Sequence, residues 1–266
     1  MATPLTSSQT YIDKFDPLDY YKAYYQSEGT ITEEWVDFVL RNLHETFTTG
    51  GVKGDLLIDF GAGPTIYHLL SACEAFNNII TSDFLEQNRT QLQKWLKKDP
   101  DALDWTHIVK RVCELEGNSD NESCKKKEEK LRRMVTKVLK CDALKENPYD
   151  PVKMPQADCL ISCLCLEAAC KDVESFTNVL RNFKSLIKPG GHIVLQSVLN
   201  CTYYFVGQNK FFCLPISRKE LEAAFKEAGY EIMKIKVIPF TKVPEKDVCD
   251  QDSYYFVHAR KPCSQG

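Results

Sequence analysis

No stretch of this chain approaches the roughly 20 consecutive apolar residues that span a bilayer, so no membrane partner is expected. Residues 1–9 are polar and lack the apolar core of a secretion signal, which points to a cytoplasmic protein. Charge of one sign is missing as well. The 34 Lys and Arg residues and 37 Asp and Glu residues are dispersed and leave a net charge of −3, too balanced a field to favour nucleic acid. A small molecule is the expected partner. Among the twelve cysteines no two are spaced C-x-x-C, and a chain this long folds without staples, so reduced thiols are expected. The densest group, Cys159, Cys163, Cys165 and Cys170, lies among Leu160, Ile161, Leu164 and Leu166, which reads as a buried strand. No metal is expected.

With 266 residues and 43% of them hydrophobic, the chain can bury one large core, and one domain over 1–266 is the default. From Gly54 onward, short β-type runs alternate with amphipathic stretches, the pattern of a parallel sheet covered by helices. Strands are expected at 56–60, 79–83, 138–142, 158–164 and 192–198. Helices are expected at 65–76, 87–98 and Val173–Leu186, the last closed by Lys188-Pro-Gly-Gly191. A helix at 217–229 follows, opened by the capping box of Ser217 and Glu220, and then two strands, Glu231–Pro239 and 254–260, paired antiparallel at the sheet edge.

Two segments stand outside this alternation. Residues 1–48 hold a tyrosine cluster, Tyr11, Tyr20, Tyr21, Tyr24 and Tyr25, and an amphipathic helix at Glu33–Phe47, which together suit a lid. Residues 104–137, inserted between the second and third strands, contain a polar run and then lysines interleaved with glutamates at helical spacing, which reads as a solvated helix face.

The chemistry concentrates in Leu56-Leu-Ile-Asp-Phe-Gly-Ala-Gly-Pro-Thr-Ile-Tyr67, an apolar strand entering a glycine-punctuated turn. Gly61 and Gly63 have no side chain to keep a ligand from the backbone. Asp83, at the end of the second strand, is placed to accept from both ribose hydroxyls of a nucleoside, and Asp142, ending the third, to receive an adenine amino group. The third glycine of the dinucleotide fingerprint G-x-G-x-x-G is missing: Ile66 stands there, and Pro64 follows Gly63. That argues against a pyrophosphate. Asp59, inside the turn motif, suits the cationic methionine end of S-adenosylmethionine.

Asp59-Phe-Gly-Ala-Gly-Pro-Thr-Ile-Tyr67, Gln93-Lys-Trp-Leu-Lys-Lys98, Cys113-Glu-Leu-Glu-Gly-Asn118, Val138-Leu-Lys-Cys-Asp142, Cys165-Leu-Glu-Ala-Ala-Cys170 and Leu186-Ile-Lys-Pro-Gly-Gly191 resemble the nicotinamide, indolethylamine and phenylethanolamine N-methyltransferases. The similarity runs from about Thr6 to Lys261. It implies a Rossmann-like class I methyltransferase, an α/β fold with a seven-stranded, mostly parallel sheet, helices on both faces and an N-terminal helical lid. It also implies a monomer. S-adenosylmethionine would be held by Tyr20, Tyr25, Gly61, Ala62, Gly63, Tyr67, Asp83, Asn88, Asp142 and Ala143, with the main chain near Cys163 beneath it.

Methyl transfer from a sulfonium is an in-line displacement, so the protein chiefly orients the acceptor and keeps its lone pair free. The resemblance implies acceptor contacts from 196–204, from 211–214 and from Glu167, with the Tyr204 ring walling or stacking on a planar acceptor. Glu167 resembles the carboxylate that phenylethanolamine enzymes hold near the amine and could relay a proton. Ser197 stands where the nicotinamide enzymes have an aspartate, and Cys201 and Cys213 where they have serines. This less polar pocket favours an aryl amine, an indolethylamine or a thioether. Asp250 or Asp252 could offer a second anion, though a solvated loop is the stronger reading there. Two other readings stay open: a nicotinamide-dinucleotide oxidoreductase, opposed by Pro64 and Ile66, and a non-catalytic cofactor-binding homologue, suggested by Ser197, Cys201 and Cys213.

Overall fold

The structure, a computed structural model, describes residues 4–26, 33–118, 120–241 and 248–263. Residues 1–3 and 27–32 of the expected lid and Ser119 of the expected polar run lie outside these. The Ser7 hydroxyl caps α1 (Ser8–Lys14) by accepting from the Thr10 amide. Asp16 caps α2 (Pro17–Tyr24), where Pro17 fills a first-turn position that needs no N–H donor. In α3 (Glu33–Phe47), Trp35, Val36, Val39, Leu40, Leu43 and Phe47 recur at helical spacing and are all buried.

β1 (Gly54–Phe60) is apolar on both faces: Leu57 joins one core cluster, Leu56 and Ile58 the other. The helix expected at 65–76 does not form. Two short 3₁₀ turns, Tyr67–Leu69 and Ala72–Glu74, take its place. Thr65 donates its hydroxyl to the Ala62 carbonyl and His68 hydrogen-bonds Asp59, and these side-chain bonds draw the buried residues 65–73 into tight turns.

β2 (Phe76–Asp83) and α4 (Glu86–Leu96) follow, then a helical pair, α5 (Thr106–Leu115) and α6 (Asn121–Met134), in the insertion. The α6 surface is mostly solvated, as its sequence suggests, except at Lys127. That side chain is buried and its ammonium bonds Glu74 at 2.6 Å and Glu116 at 2.7 Å. β3 (Val135–Lys140) starts directly from α6, so Asp142 lies beyond the strand and not at its end.

β4 (Ala157–Cys163), a single turn α7 (Leu166–Ala169) and α8 (Val173–Leu186) lead into β5 (Ile187–Leu199). The chain passes from α8 straight into this strand, so Lys188-Pro-Gly-Gly191 belongs to β5 and not to a turn. A hairpin that the sequence reading lacks comes next, β6 (Tyr203–Val206) paired antiparallel with β7 (Asn209–Phe212). α9 (Arg218–Glu227) opens on the reciprocal bonds of Ser217 and Glu220, and β8 (Glu231–Pro239) and β9 (Ser253–Arg260) close the fold.

The large sheet has the order β3-β2-β1-β4-β5-β9-β8, with β1 to β5 parallel and β9 antiparallel to both β5 and β8. One core cluster gathers residues of α3, α4, α5 and α6, the other residues of α8 and α9, so both faces are covered. Strand order reverses between β1 and β4, where the connections leave in opposite directions and open a crevice at the carboxyl ends. Among the described residues no helix is long and apolar enough to cross a membrane.

Candidate active site

A cavity of about 400 Å³ occupies that crevice. Sixteen of the residues that the sequence assigns to a site line it: Tyr20, Tyr25 and Tyr67; Gly61, Ala62 and Gly63; Asp83, Asn88, Asp142, Ala143 and Cys163; and Glu167, Ser197, Cys201, Tyr204 and Cys213.

Gly61 and Gly63 have φ of +68° and +60°, which place the turn in the left-handed region. A β-carbon on Gly61 would lie 2.1 Å from Cys165 Sγ. The Asp83 carboxylate fastens this turn to β2. Its Oδ2 accepts from the Gly63 amide at 2.8 Å, and its Oδ1 from the Leu85 amide at 2.8 Å and Asn88 Nδ2 at 3.0 Å. Burial raises the Asp83 carboxyl above its usual range, against the pull of these three donors. Asn88 is buried, and among the described residues its Oδ1 has no hydrogen-bond partner. A hydroxyl donor from a nucleoside would satisfy it, so this end of the cavity fits a ribose.

The N-terminal helices roof the cavity. Tyr25 stacks on Tyr67 with ring centroids 5.4 Å apart, and the Tyr20 and Tyr25 hydroxyls are 3.5 Å apart. Burial pushes the Tyr20 phenol up to about 12, so it stays a neutral donor. Three bonds tie this roof to the β6–β7 hairpin: Tyr24 donates to the Phe205 carbonyl, Asn209 to the Lys14 carbonyl, and the Phe212 amide to Thr6 Oγ1. On the hairpin, Tyr204 stacks against Phe211 at 5.5 Å.

Glu167 is buried and both carboxylate oxygens are engaged. Ser197 Oγ donates to Oε2 at 2.7 Å, and the Tyr255 hydroxyl donates to Oε1. Burial raises the Glu167 carboxyl above its usual range while both donors hold it down. Tyr255 is absent from the sequence reading. Ser197 pairs with Tyr255 across β5 and β9, which puts both side chains on one face, under Glu167. The sequence carries the strand but not this register.

Asp59 departs from expectation. It is fully buried, does not line the cavity, and bonds Thr81 Oγ1 at 2.6 Å and His68 Nε2 at 2.9 Å. It shares a strand face with Leu57, under the turn, so it cannot meet a methionine ammonium in the cavity. Asp250 and Asp252 are loop holders. Asp250 Oδ1 accepts from the Thr202 amide at 2.7 Å and Asp252 Oδ2 from Asn200 at 2.6 Å, and neither lines the cavity. Among the described residues no disulfide joins the cysteines.

Comparison with known proteins supplies the family. A sequence profile of the NNMT/PNMT/TEMT family matches residues 3–262. Nicotinamide N-methyltransferase of Homo sapiens is 48% identical over 240 residues, 90% of each chain. Indolethylamine N-methyltransferase of Mus musculus is 44% identical over 255 residues, 95% of each chain. Among solved structures, a Burkholderia thailandensis 1,6-didemethyltoxoflavin-N1-methyltransferase with bound S-adenosylhomocysteine superposes with a TM-score of 0.54. It is 13% identical, with 98% of this chain and 93% of that one covered, which supports the Rossmann-like fold alone. By its sequence over almost its whole length, this chain belongs to the NNMT/PNMT/TEMT family and is an S-adenosylmethionine-dependent N-methyltransferase.

Proposed function

We propose that the chain methylates the nitrogen of a small arylalkyl or aryl amine, with cofactor and acceptor meeting in the cavity above β1, β4 and β5. S-adenosylmethionine supplies, when bound, a methyl group already activated on a sulfonium. Gly61, Ala62 and Gly63 let it approach the backbone, Asp83 and Asn88 hold its ribose, Asp142 and Ala143 its adenine, and Tyr20, Tyr25 and Tyr67 cover it. The main chain at Cys163 lies beneath.

The acceptor lies against Tyr204, between Ser197, Cys201 and Cys213. The observation that carries this reading is Glu167, a buried carboxyl at the cavity wall fixed by Ser197 and Tyr255. As a carboxylate it receives a proton from an ammonium acceptor and so frees the nitrogen lone pair for in-line attack. A pyridine nitrogen carries no proton at neutral pH and gains nothing from this relay, so a basic amine is favoured over nicotinamide. A thioether acceptor is the second reading, favoured by the sulfur of Cys165, Cys201 and Cys213 along the wall. This reading takes the chain as one domain, a monomer acting in the cytosol, with residues 1–48 as its lid and nucleic acid not among its partners.

The deciding experiment is a mass-spectrometric screen for methylated products from a library holding tryptamine, quinoline, nicotinamide and dialkyl sulfides. Methylated tryptamine in excess of methylnicotinamide is expected. Faster methylation of nicotinamide would overturn the amine preference, and a sulfonium product alone would establish the second reading.

A further inference from the structure

Cys201 follows β5 and Cys213 follows β7. The Cys213 amide donates to the Thr202 carbonyl at 3.1 Å, which extends the hairpin ladder one step beyond the Tyr203 and Phe212 pair. That step sets Cys201 and Cys213 side by side in the wall of the same cavity, where the neighbouring Cys201 thiol, together with burial, pushes the Cys213 thiol up. Cys201 donates to the Tyr203 carbonyl at 3.1 Å. Both are shielded from bulk solvent but line the cavity, so a small molecule entering the acceptor space reaches them. Cys113 and Cys124, which sit on the paired helices α5 and α6, do not line it.

We propose that Cys201 and Cys213 are a reversible modification site, closed to a disulfide by a hydroperoxide that competes with the acceptor for this part of the cavity. The Cys201 sulfur attacks one peroxide oxygen, the O–O bond breaks, and the departing alkoxide takes up the Cys201 proton to leave as an alcohol. The Cys213 sulfur then displaces the hydroxyl from the Cys201 sulfenic acid, and that hydroxyl leaves with the Cys213 proton as water. Two thiols are oxidised to one disulfide while one hydroperoxide is reduced to alcohol and water. The bridge draws the Cys201 sulfur off the Tyr203 carbonyl and pulls on the segment whose next residue, Leu214, donates its amide to the Glu167 carbonyl at 2.7 Å. The acceptor wall closes, while the Asp83 and Asn88 end is untouched. Only the effect on turnover rests on the acceptor reading given above. The cross-link itself does not.

The test treats the reduced full-length chain with hydrogen peroxide, caps the remaining thiols and maps peptides after trypsin, which cuts at Lys210 between the two cysteines. A peptide linked through Cys201 and Cys213 is expected to accumulate as methylation of an accepted amine falls by about tenfold or more. S-adenosylhomocysteine affinity, read by calorimetry, stays within about twofold. Dithiothreitol restores the rate, and saturating acceptor slows the linkage. Cys201→Ser and Cys213→Ser, each measured against its own untreated rate, lack the dithiothreitol-reversible loss. Failure to find the linked peptide at doses that oxidise the exposed Cys263 overturns the proposal, as does equal reversible loss in Cys213→Ser. A chain that methylates no amine would defeat the acceptor reading and leave the peptide and calorimetric readouts to decide this one.

Discussion

Tyr255 holds one oxygen of Glu167 and Ser197 the other, and the two donors differ in what their removal costs. Tyr255→Phe keeps the buried ring and deletes one bond to the carboxylate. A hydrogen bond to a charged group contributes about 1.5–3 kcal/mol, so the Glu167 ionisation should move up by roughly one to two pH units. The acid limb of the kcat/KM profile is expected to shift to higher pH by that amount; an unmoved limb removes Glu167 from proton transfer. The sign for stability is the same. Burial has already raised this carboxyl in the folded state, so its contribution is complete below the unfolded value and is lost as pH rises through the folded one. The variant should therefore fall further behind the parent in urea melts on the alkaline side than on the acid side. At this scale the sequence was legible where chemistry is local: the glycine turn and Asp83 follow from strand, turn and spacing. Asp59 was not, because which strand face meets the cavity depends on the turn above it. Tyr255 was not, because its partner lies across a pairing register that no local pattern fixes.

The glycine turn is an element whose two positive-φ residues should respond differently to the same change. Gly61→Ala meets both left-handed strain and the Cys165 sulfur, whereas Gly63→Ala has open space around its β-carbon. Gly63→Ala should lower unfolding free energy by about 1 kcal/mol from strain alone, and Gly61→Ala by about 2–3 kcal/mol or more. Chemical denaturation of the two variants checks the order, and equal losses would deny the Cys165 contact. Long, strongly patterned elements were readable in advance: α8, β8 and α9 with its Ser217 cap stand close to where the residues put them, while β5 starts five residues before the expected 192. The segment after the glycine turn was not, since side-chain bonds from Thr65 and His68 overrode a helical pattern. The β6–β7 hairpin left one signal, Gly207 at φ +55° between two aromatic runs, but its strands are only four residues each. The hairpin carries Tyr204 and the strand end before Cys213, so the acceptor side is where sequence reasoning was thinnest.

For the molecule as a whole, a ligand that binds only the folded chain must raise its stability by mass action. S-adenosylhomocysteine at one hundred times its dissociation constant should add about 2.7 kcal/mol. For a chain of this size that corresponds to a rise in Tm of roughly 5–10 °C. Scanning fluorimetry with increasing S-adenosylhomocysteine should show the rise, and reduced nicotinamide dinucleotide at the same concentrations should not. The reverse result would restore the oxidoreductase reading. The cavity also joins opposite ends of the chain. Lys14 and Asn209 meet across 195 residues, Thr6 and Phe212 across 206. Contacts so distant along the chain close the largest loops and come late in folding. During synthesis, then, the roof leaves the ribosome before the hairpin that holds it, and β1 to β5 emerge between the two. In the finished protein neither of these bonds belongs to a strand pairing of the large sheet, so the roof rests on a frame built without it.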